Sequence, residues 1–346
     1  MTDAMLLDRL KEGAEAWNGW RAGHHDVDID LAGADLTRAD LRRADLVNVN
    51  LTGACLKSAR LIGANLAGAV LNDADLRQAK LSEACLDDVS AVRASFIEAD
   101  LHYTRLTGAN LTRSSFYGAD LTGSDLSRAQ LYRADLRWAN MRETVIVDAN
   151  MTDADLYHAD LHSACLRGVD LTQARLDLAT LADGEITGCH VYGVSAWDVK
   201  LEGTEQGNLI ITQPGEPTIA ADDLDAAQFI NLLIHSPALR DHVASVSARL
   251  ALVLVARVPG CEDRLAALSQ ALQGAGWISV HYDIGAAERG QIQATLKSTM
   301  RFCGAAVIDV EDTAPHIDLI TEAAQAANLP VLAITRTPDC AAAGLV

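Results

Sequence analysis

From Leu31 to Leu201 every fifth residue is apolar, without a slip, and that register decides what this chain can fold into. Of its 35 positions 26 are leucine; the others are Ala91, Phe96, Phe116, Met141, Ile146, Met151, Ile186, Val191 and Ala196. Two residues before each position lies a mostly small residue, alanine at 23 of the 35. On an α-helix five residues turn about 500°, so successive leucines would scatter around the cylinder instead of forming a stripe. On a flat strand an odd period would send them to alternate faces. Neither element holds the pattern, so the chain must bend once per repeat. The alanine and the leucine, two apart, face the same way, as in a strand. The residue between them points outward, and the remaining two make a corner. Successive corners wind the chain into a coil around a leucine core.

Segments such as Ala34-Asp35-Leu36-Thr37-Arg38, Ala39-Asp40-Leu41 and Gly118-Ala119-Asp120-Leu121-Thr122 resemble the A(D/N)LxX signature of pentapeptide repeat proteins. The resemblance implies a right-handed quadrilateral β-helix over residues 26–206, with four repeats per coil and a rod about 40 Å long. Residues twenty apart then stack. Phe96 and Phe116 become neighbours on one inner face, and Ala91, in the same coil as Phe96, makes room for the ring. The ends of such a coil expose unpaired strand edges and need covers. Leu6, Leu7, Leu10, Ala14 and Trp17 recur at helical spacing and predict a capping helix within residues 1–25. At the other end the motif decays through Gly184, Cys189-His190-Val191 and Ala196-Trp197. An uncapped coil end near residue 201 would favour a homodimer.

The same stacking sorts the outward residues into strips. One strip, before the ladder residue, reads Asp40, Arg60, Lys80, Asp100, Asp120, Asn140, Asp160. Asp100, Asp120 and Asp160 form its acidic part and are candidate binding residues. Another strip, after the ladder residue, reads Thr37, Lys57, Arg77, Ile97, Tyr117, Arg137, Tyr157. Some pentapeptide repeat proteins resemble duplex DNA in width and charge and bind DNA gyrase in its place, which makes gyrase a candidate partner. The formal charge of -19 argues against direct nucleic-acid binding. Yet the 17 basic residues among the rod's 28 acidic ones interrupt the continuous negative charge that a duplex mimic needs.

All seven prolines lie at or after Pro214, which sets a linker at 207–222 and a second domain at 223–346. Helix is expected over 223–246, with Leu224, Phe229, Leu232, Leu233 and Leu239 as its apolar positions. Strands at 250–255, 277–282, 305–308 and 330–334 then alternate with helices at 263–272, 291–300 and 317–327. That order predicts an α/β domain with a four-stranded parallel sheet. Ligands of such sheets bind beyond the carboxyl ends of the strands, where Arg257, Asp283 and Asp309 stand, with Glu311, Asp312 and Arg336 nearby. Neither GxGxxG after the first strand nor GxxxxGK[ST] is present, so a nucleotide site of either kind is unsupported. Phe229-Ile230-Asn231-Leu232-Leu233, the strand ending at Arg257, Tyr282-Asp283 and Val307-Ile308-Asp309-Val310 resemble a Toll/interleukin-receptor-like (TIR-like, flavodoxin-like) domain. Some TIR domains cleave NAD with a helix glutamate, for which Glu322 is the nearest candidate and Asp318 the second. Neither sits in a motif match, so a non-catalytic interaction domain is the expectation.

The remaining chemistry is sparse. His24-His25-Asp26-Val27-Asp28 reads as an exposed loop rather than a metal site. Cys55, Cys85 and Cys165 fall in the outward slot with no base beside them, and Cys261 and Cys303 read as small core residues. Neither cofactor nor metal is implied. Seven scattered cysteines and the lack of a signal peptide or membrane span point to a cytoplasmic protein, and the two resemblances imply a bacterial one. The chain is thus expected to be a protein-binding scaffold in which a β-helical rod presents a TIR-like domain. Gyrase protection and NAD cleavage are its two rivals.

Overall fold

The computed structural model describes residues 3–24, 26–213, 215–235, 250–255, 262–283, 292, 296, 299–300, 303–309 and 317–334. The chain divides into two compact units, Met1–Gln206 and Gly207–Val346. Among the described residues no helix is long and apolar enough to cross a membrane.

In the first unit, parallel bridges join residues twenty apart from Asp30↔Asn50 to Thr180↔Lys200, so each coil holds four five-residue repeats. The Leu36 N–H donates to the Cys55 carbonyl at 2.8 Å, and the Cys55 N–H donates to the Ala34 carbonyl at 2.9 Å. This ladder repeats on all four sides. Between strands the Ala34 N–H donates back to the Leu31 carbonyl at 3.1 Å and closes a four-residue turn. Its third residue, Gly33, has φ 67°, as a type II turn demands. The equivalent corners at Arg38, Arg43 and Asn48 carry side chains at φ 59°, 59° and 58°. A left-handed L residue costs about 1–2 kcal/mol. The leucine packing on either side of every corner overrides that cost. The ladder leucines are almost entirely buried, and Phe96, Phe116 and Ala91 are fully so. The two phenylalanine rings stack with centroids 4.7 Å apart and planes 2° apart.

On one side three parallel strands lengthen: β1 (Val145–Val147), β2 (Cys165–Arg167) and β3 (Glu185–Thr187). The sheet continues to β4 (Glu205–Gly207). Gly184, just before β3, occupies a slot usually held by alanine. A Cβ there would lie 2.7 Å from the Ala164 carbonyl oxygen and 2.9 Å from that of Leu181. Backbone cannot yield as a side chain does. Gly184→Ala is therefore expected to cost about 1–3 kcal/mol in urea unfolding; an unchanged midpoint would refute the close approach.

The expected cap is two helices, α1 (Asp3–Lys11) and α2 (Ala14–Arg21), broken at Gly13 with φ 116°. Leu6, Leu10 and Trp17 are buried. The first coil's edge groups find partners on α2. Trp17 Nε1 donates to the Asp45 carbonyl at 2.6 Å, and Asn18 Nδ2 to the Arg43 carbonyl at 2.9 Å. The Asp45 N–H donates to Asn18 Oδ1 at 2.8 Å, and Arg21 to the Val47 carbonyl at 2.8 Å.

In the second unit one sheet runs in the order β10-β9-β7-β8-β6-β5. Its strands are β5 (Leu209–Ile210), β6 (Ile219–Ala221), β7 (Leu250–Val255), β8 (Ile278–Asp283), β9 (Ala305–Asp309) and β10 (Val331–Ile334). Strands β8, β7, β9 and β10 are parallel neighbours; β6 and β5 add antiparallel to the β8 side. The segment 207–222 is thus not a linker. Leu209, Ile211, Ile219, Ala220 and Ala221 are buried, and the Pro-Gly stretch that reads as a boundary connects two paired strands. Helices α3 (Leu224–His235), α4 (Glu262–Gly274) and α5 (Ile317–Ala327) accompany the sheet. The expected helix 223–246 is seen to His235; Leu239 lies outside the described residues. Of its expected apolar positions Leu224 and Leu233 are buried, together with Ala227 and Ile230, whereas Phe229 and Leu232 are exposed. Of the helix expected at 291–300, the buried positions Ile292, Leu296 and Met300 recur at four-residue spacing.

Candidate protein-binding surfaces

The rod's acidic strip lies as the twenty-residue register requires: Lys80, Asp100, Asp120, Asn140 and Asp160 are successive bridge partners. Each carboxylate is already engaged. Asp100 binds His102 Nδ1. Asp120 Oδ1 accepts from the Thr122 hydroxyl at 2.6 Å, its N–H at 3.0 Å, and Asn140 Nδ2 at 3.1 Å. Asp160 accepts from Arg142 at 3.0 Å and from the His162 N–H at 3.1 Å. The bond from a pre-leucine Asp or Asn to the N–H two residues on recurs at Asp35, Asn50, Asp75, Asn110, Asp125, Asp155 and Asp170. It fastens the start of each corner, as Asx turns do.

Arginines neutralise many of the other carboxylates. Arg42 holds Asp40, Arg77 holds Asp75, Arg93 holds Asp73 and Arg167 holds Glu185, each at 2.6 Å. These bonds keep the four carboxyl groups below their ordinary pKa. A depressed carboxyl stabilises the fold above its unfolded pKa and loses that contribution as pH falls through the folded value. Rod stability is therefore expected to be flat near neutrality and to fall below about pH 4. Circular dichroism of urea unfolding against pH checks this; a loss beginning at pH 6 would contradict it.

An exposed aromatic surface lies elsewhere, on the strip of Tyr117, Arg137 and Tyr157 and the corner column beside it. Trp138 and His158, twenty apart, stack at 4.1 Å and 12°. Tyr157 sits edge-on to both. Arg175 lies over the Tyr157 ring at 4.2 Å and Arg137 over Tyr117 at 5.5 Å. Trp138 is 52% exposed and Trp197 61%. The column two residues after the ladder was the missed signal. The register alone places 138 and 158 together.

Burial foremost raises the pKa of the Cys165 thiol, and burial pushes those of Cys189 and Cys303 up to about 12. Cys261 lies outside the described residues. His24 Nδ1 lies 2.8 Å from the Trp20 carbonyl oxygen, and its ring stacks on Trp20 at 4.5 Å; His25 lies outside the described residues.

In the second unit Asp283 and Asp309 end parallel strands β8 and β9, on either side of β7, and so stand at the same edge of the sheet. Asp283 is half-buried. Arg257, Glu311, Asp312 and Arg336 lie outside the described residues. Glu322 and Asp318 are exposed on α5. A buried polar cluster joins α4, β8 and the residue after β6. In it Ser279 Oγ donates to Asp222 at 2.5 Å, and Ser269 Oγ and His281 Nε2 lie 2.9 Å apart. Asp222 and the serine both approach the same ring nitrogen, His281 Nε2, at 3.4 and 2.9 Å. A nucleophile–base–orienter triad uses the two ring nitrogens separately, so this cluster lacks that arrangement.

Residues 27–61, 54–90, 92–128 and 134–173 match the Pentapeptide repeats family (8 copies). No curated protein matches the chain. Similar solved structures include three of different proteins. HetL of the cyanobacterium Nostoc sp. strain PCC 7120, a pentapeptide repeat protein involved in heterocyst differentiation regulation, is 33% identical over 53% of this chain and 84% of its own, with a TM-score of 0.27. Rfr23 of Cyanothece 51142 is 28% identical over 30% of this chain and 85% of its own, with a TM-score of 0.30. QnrB1, a plasmid-mediated fluoroquinolone resistance protein, is 17% identical over 50% of this chain and 89% of its own, with a TM-score of 0.33. With its five-residue register, its twenty-residue coil and this family match, the segment 27–173 is built of pentapeptide repeats.

Proposed function

We propose that the chain is a non-catalytic protein-binding scaffold, in which the pentapeptide rod supplies a rigid docking surface and the second unit is a TIR-like interaction domain. The observation that carries it is the surface cluster of exposed Trp138 with half-buried His158 and Tyr157, with Arg175 over the tyrosine ring. Aromatic and arginine side chains held on a stiff support lose little entropy on binding and dominate protein interfaces. The parallel order β8-β7-β9-β10 is that of flavodoxin-like sheets and supports the TIR-like reading. The exposure of Glu322 and its lack of a matching motif favour a binding role over NAD cleavage.

The test is site-specific cross-linking from position 138 in the native host, with Tyr157→Ala as the control variant. One discrete partner band that disappears with Tyr157→Ala is expected. A band unchanged by that variant, or no band, would sink the aromatic surface as the docking site. The acidic strip, interrupted by Arg60, Lys80 and Asn140, gives gyrase binding little support. Inhibition or protection in a supercoiling assay with purified gyrase and a fluoroquinolone would reverse that judgement. NAD turnover abolished by Glu322→Ala would likewise displace the scaffold reading.

A further inference from the structure

We propose that two copies of the chain pair antiparallel through the rod face that carries Asp40, Arg60, Lys80, Asp100, Asp120 and Asn140. These six are consecutive bridge partners, one per coil. At about 4.8 Å per coil the strip is about 24 Å long. A two-fold axis lying across the rods, between the rows of Lys80 and Asp100, reverses the strip but keeps each column opposite itself. Lys80 then faces Asp100 of the second copy, Arg60 faces its Asp120, and Asp40 faces its Asn140. Each contact occurs twice, as an isologous interface requires. Parallel pairing would set like charge on like.

A second column obeys the same operation. Arg43 and Glu143 are five coils apart at one corner of this face, both exposed, and the axis brings each against the other. Arg42 would face Arg142, but each is already bonded to a carboxylate, Asp40 at 2.6 Å and Asp160 at 3.0 Å. The cations to be paired are uncommitted. Among the described residues Lys80 and Arg43 make no ion pair, and Arg60 has only a long one, 3.8 Å to Asp40. A strip of this length sits at the small end of specific interfaces, so the dimer is weak and salt-sensitive. This face is distinct from the coil end near residue 201 and is bounded on one side by the corner that carries Trp138, two residues before Asn140.

Sedimentation velocity of the full chain tests the arrangement. Wild type is expected to shift towards twice the monomer mass with rising concentration at low salt. Its apparent Kd should rise about tenfold or more at high salt, since exposed ion pairs are screened there. Two double variants then separate the possibilities. Arg60→Asp with Lys80→Asp makes the strip acidic except for Asn140. Asp100→Lys with Asp120→Arg makes it basic except for Asp40. Each alone should stay monomeric, and an equimolar mixture should form a one-to-one heterodimer, which also shows that both variants are folded. A wild type that is monomeric at all concentrations, dimers that persist in both variants, or a mixture that fails to associate would each overturn the proposal.

Discussion

Phe96→Ala is expected to remove about 3–5 kcal/mol of stability, among the largest single losses available inside the rod. The ring is fully buried and stacks on Phe116 at 4.7 Å. A coil contacts only the coils above and below it, so the cavity cannot be refilled from a distance. Phe116→Ala should cost a similar amount. The double variant should fall short of the sum by about 0.5–1.5 kcal/mol, the coupling of an aromatic pair. Parallel rings at this centroid separation lie within the range that favourable aromatic pairs adopt. Urea denaturation of the four proteins in the cycle measures the coupling. Strict additivity would mean that the two rings only fill space. A broadened transition in the single variants is also expected, because a defect in one coil loosens the cooperation between the halves of a solenoid.

Much of the rod was legible because one physical constraint acts at every repeat. A period of five excludes helix and flat strand, and the twenty-residue stacking then follows from the family resemblance. The Phe96–Phe116 contact was available from that arithmetic alone, and so was the Trp138–His158 stack on the corner column. The corners themselves were not legible. Arginine at φ 59°, as at Arg38 and Arg43, contradicts local preference, and only the surrounding leucine packing makes it tolerable. The acidic strip shows a different limit. Sequence counts the carboxylates but not the N–H groups two residues on that bind them. In the second unit, alternating strand and helix patterns placed the four parallel strands. Residues 207–222 failed for a local reason. Pro214, Gly215 and Pro217 read as a boundary, whereas they sit between two short paired strands whose few buried apolar residues are too sparse to announce a strand.

Trp17→Ala is expected to uncover the N-terminal end of the rod. Two effects add. The indole is fully buried, so its loss costs about 3–5 kcal/mol of packing. Its Nε1–H also leaves the Asp45 carbonyl without a partner. The second effect reaches further than the first. The outermost coil presents a row of N–H and C=O groups that would otherwise be bridged by a preceding coil, and α2 supplies the substitutes through Trp17, Asn18 and Arg21. Once the helix detaches, that edge is a template for another chain. Trp17→Ala should therefore lower the melting temperature and also produce higher oligomers that grow with concentration. Asn18→Ala separates the two contributions. It keeps the buried indole and removes two edge bonds, so it should cost less stability than Trp17→Ala yet still promote association. Light scattering beside thermal melts reads both quantities. A Trp17→Ala protein that is destabilised but strictly monomeric would show that the cap contributes packing alone, and that the rod's first edge is protected by something other than α2.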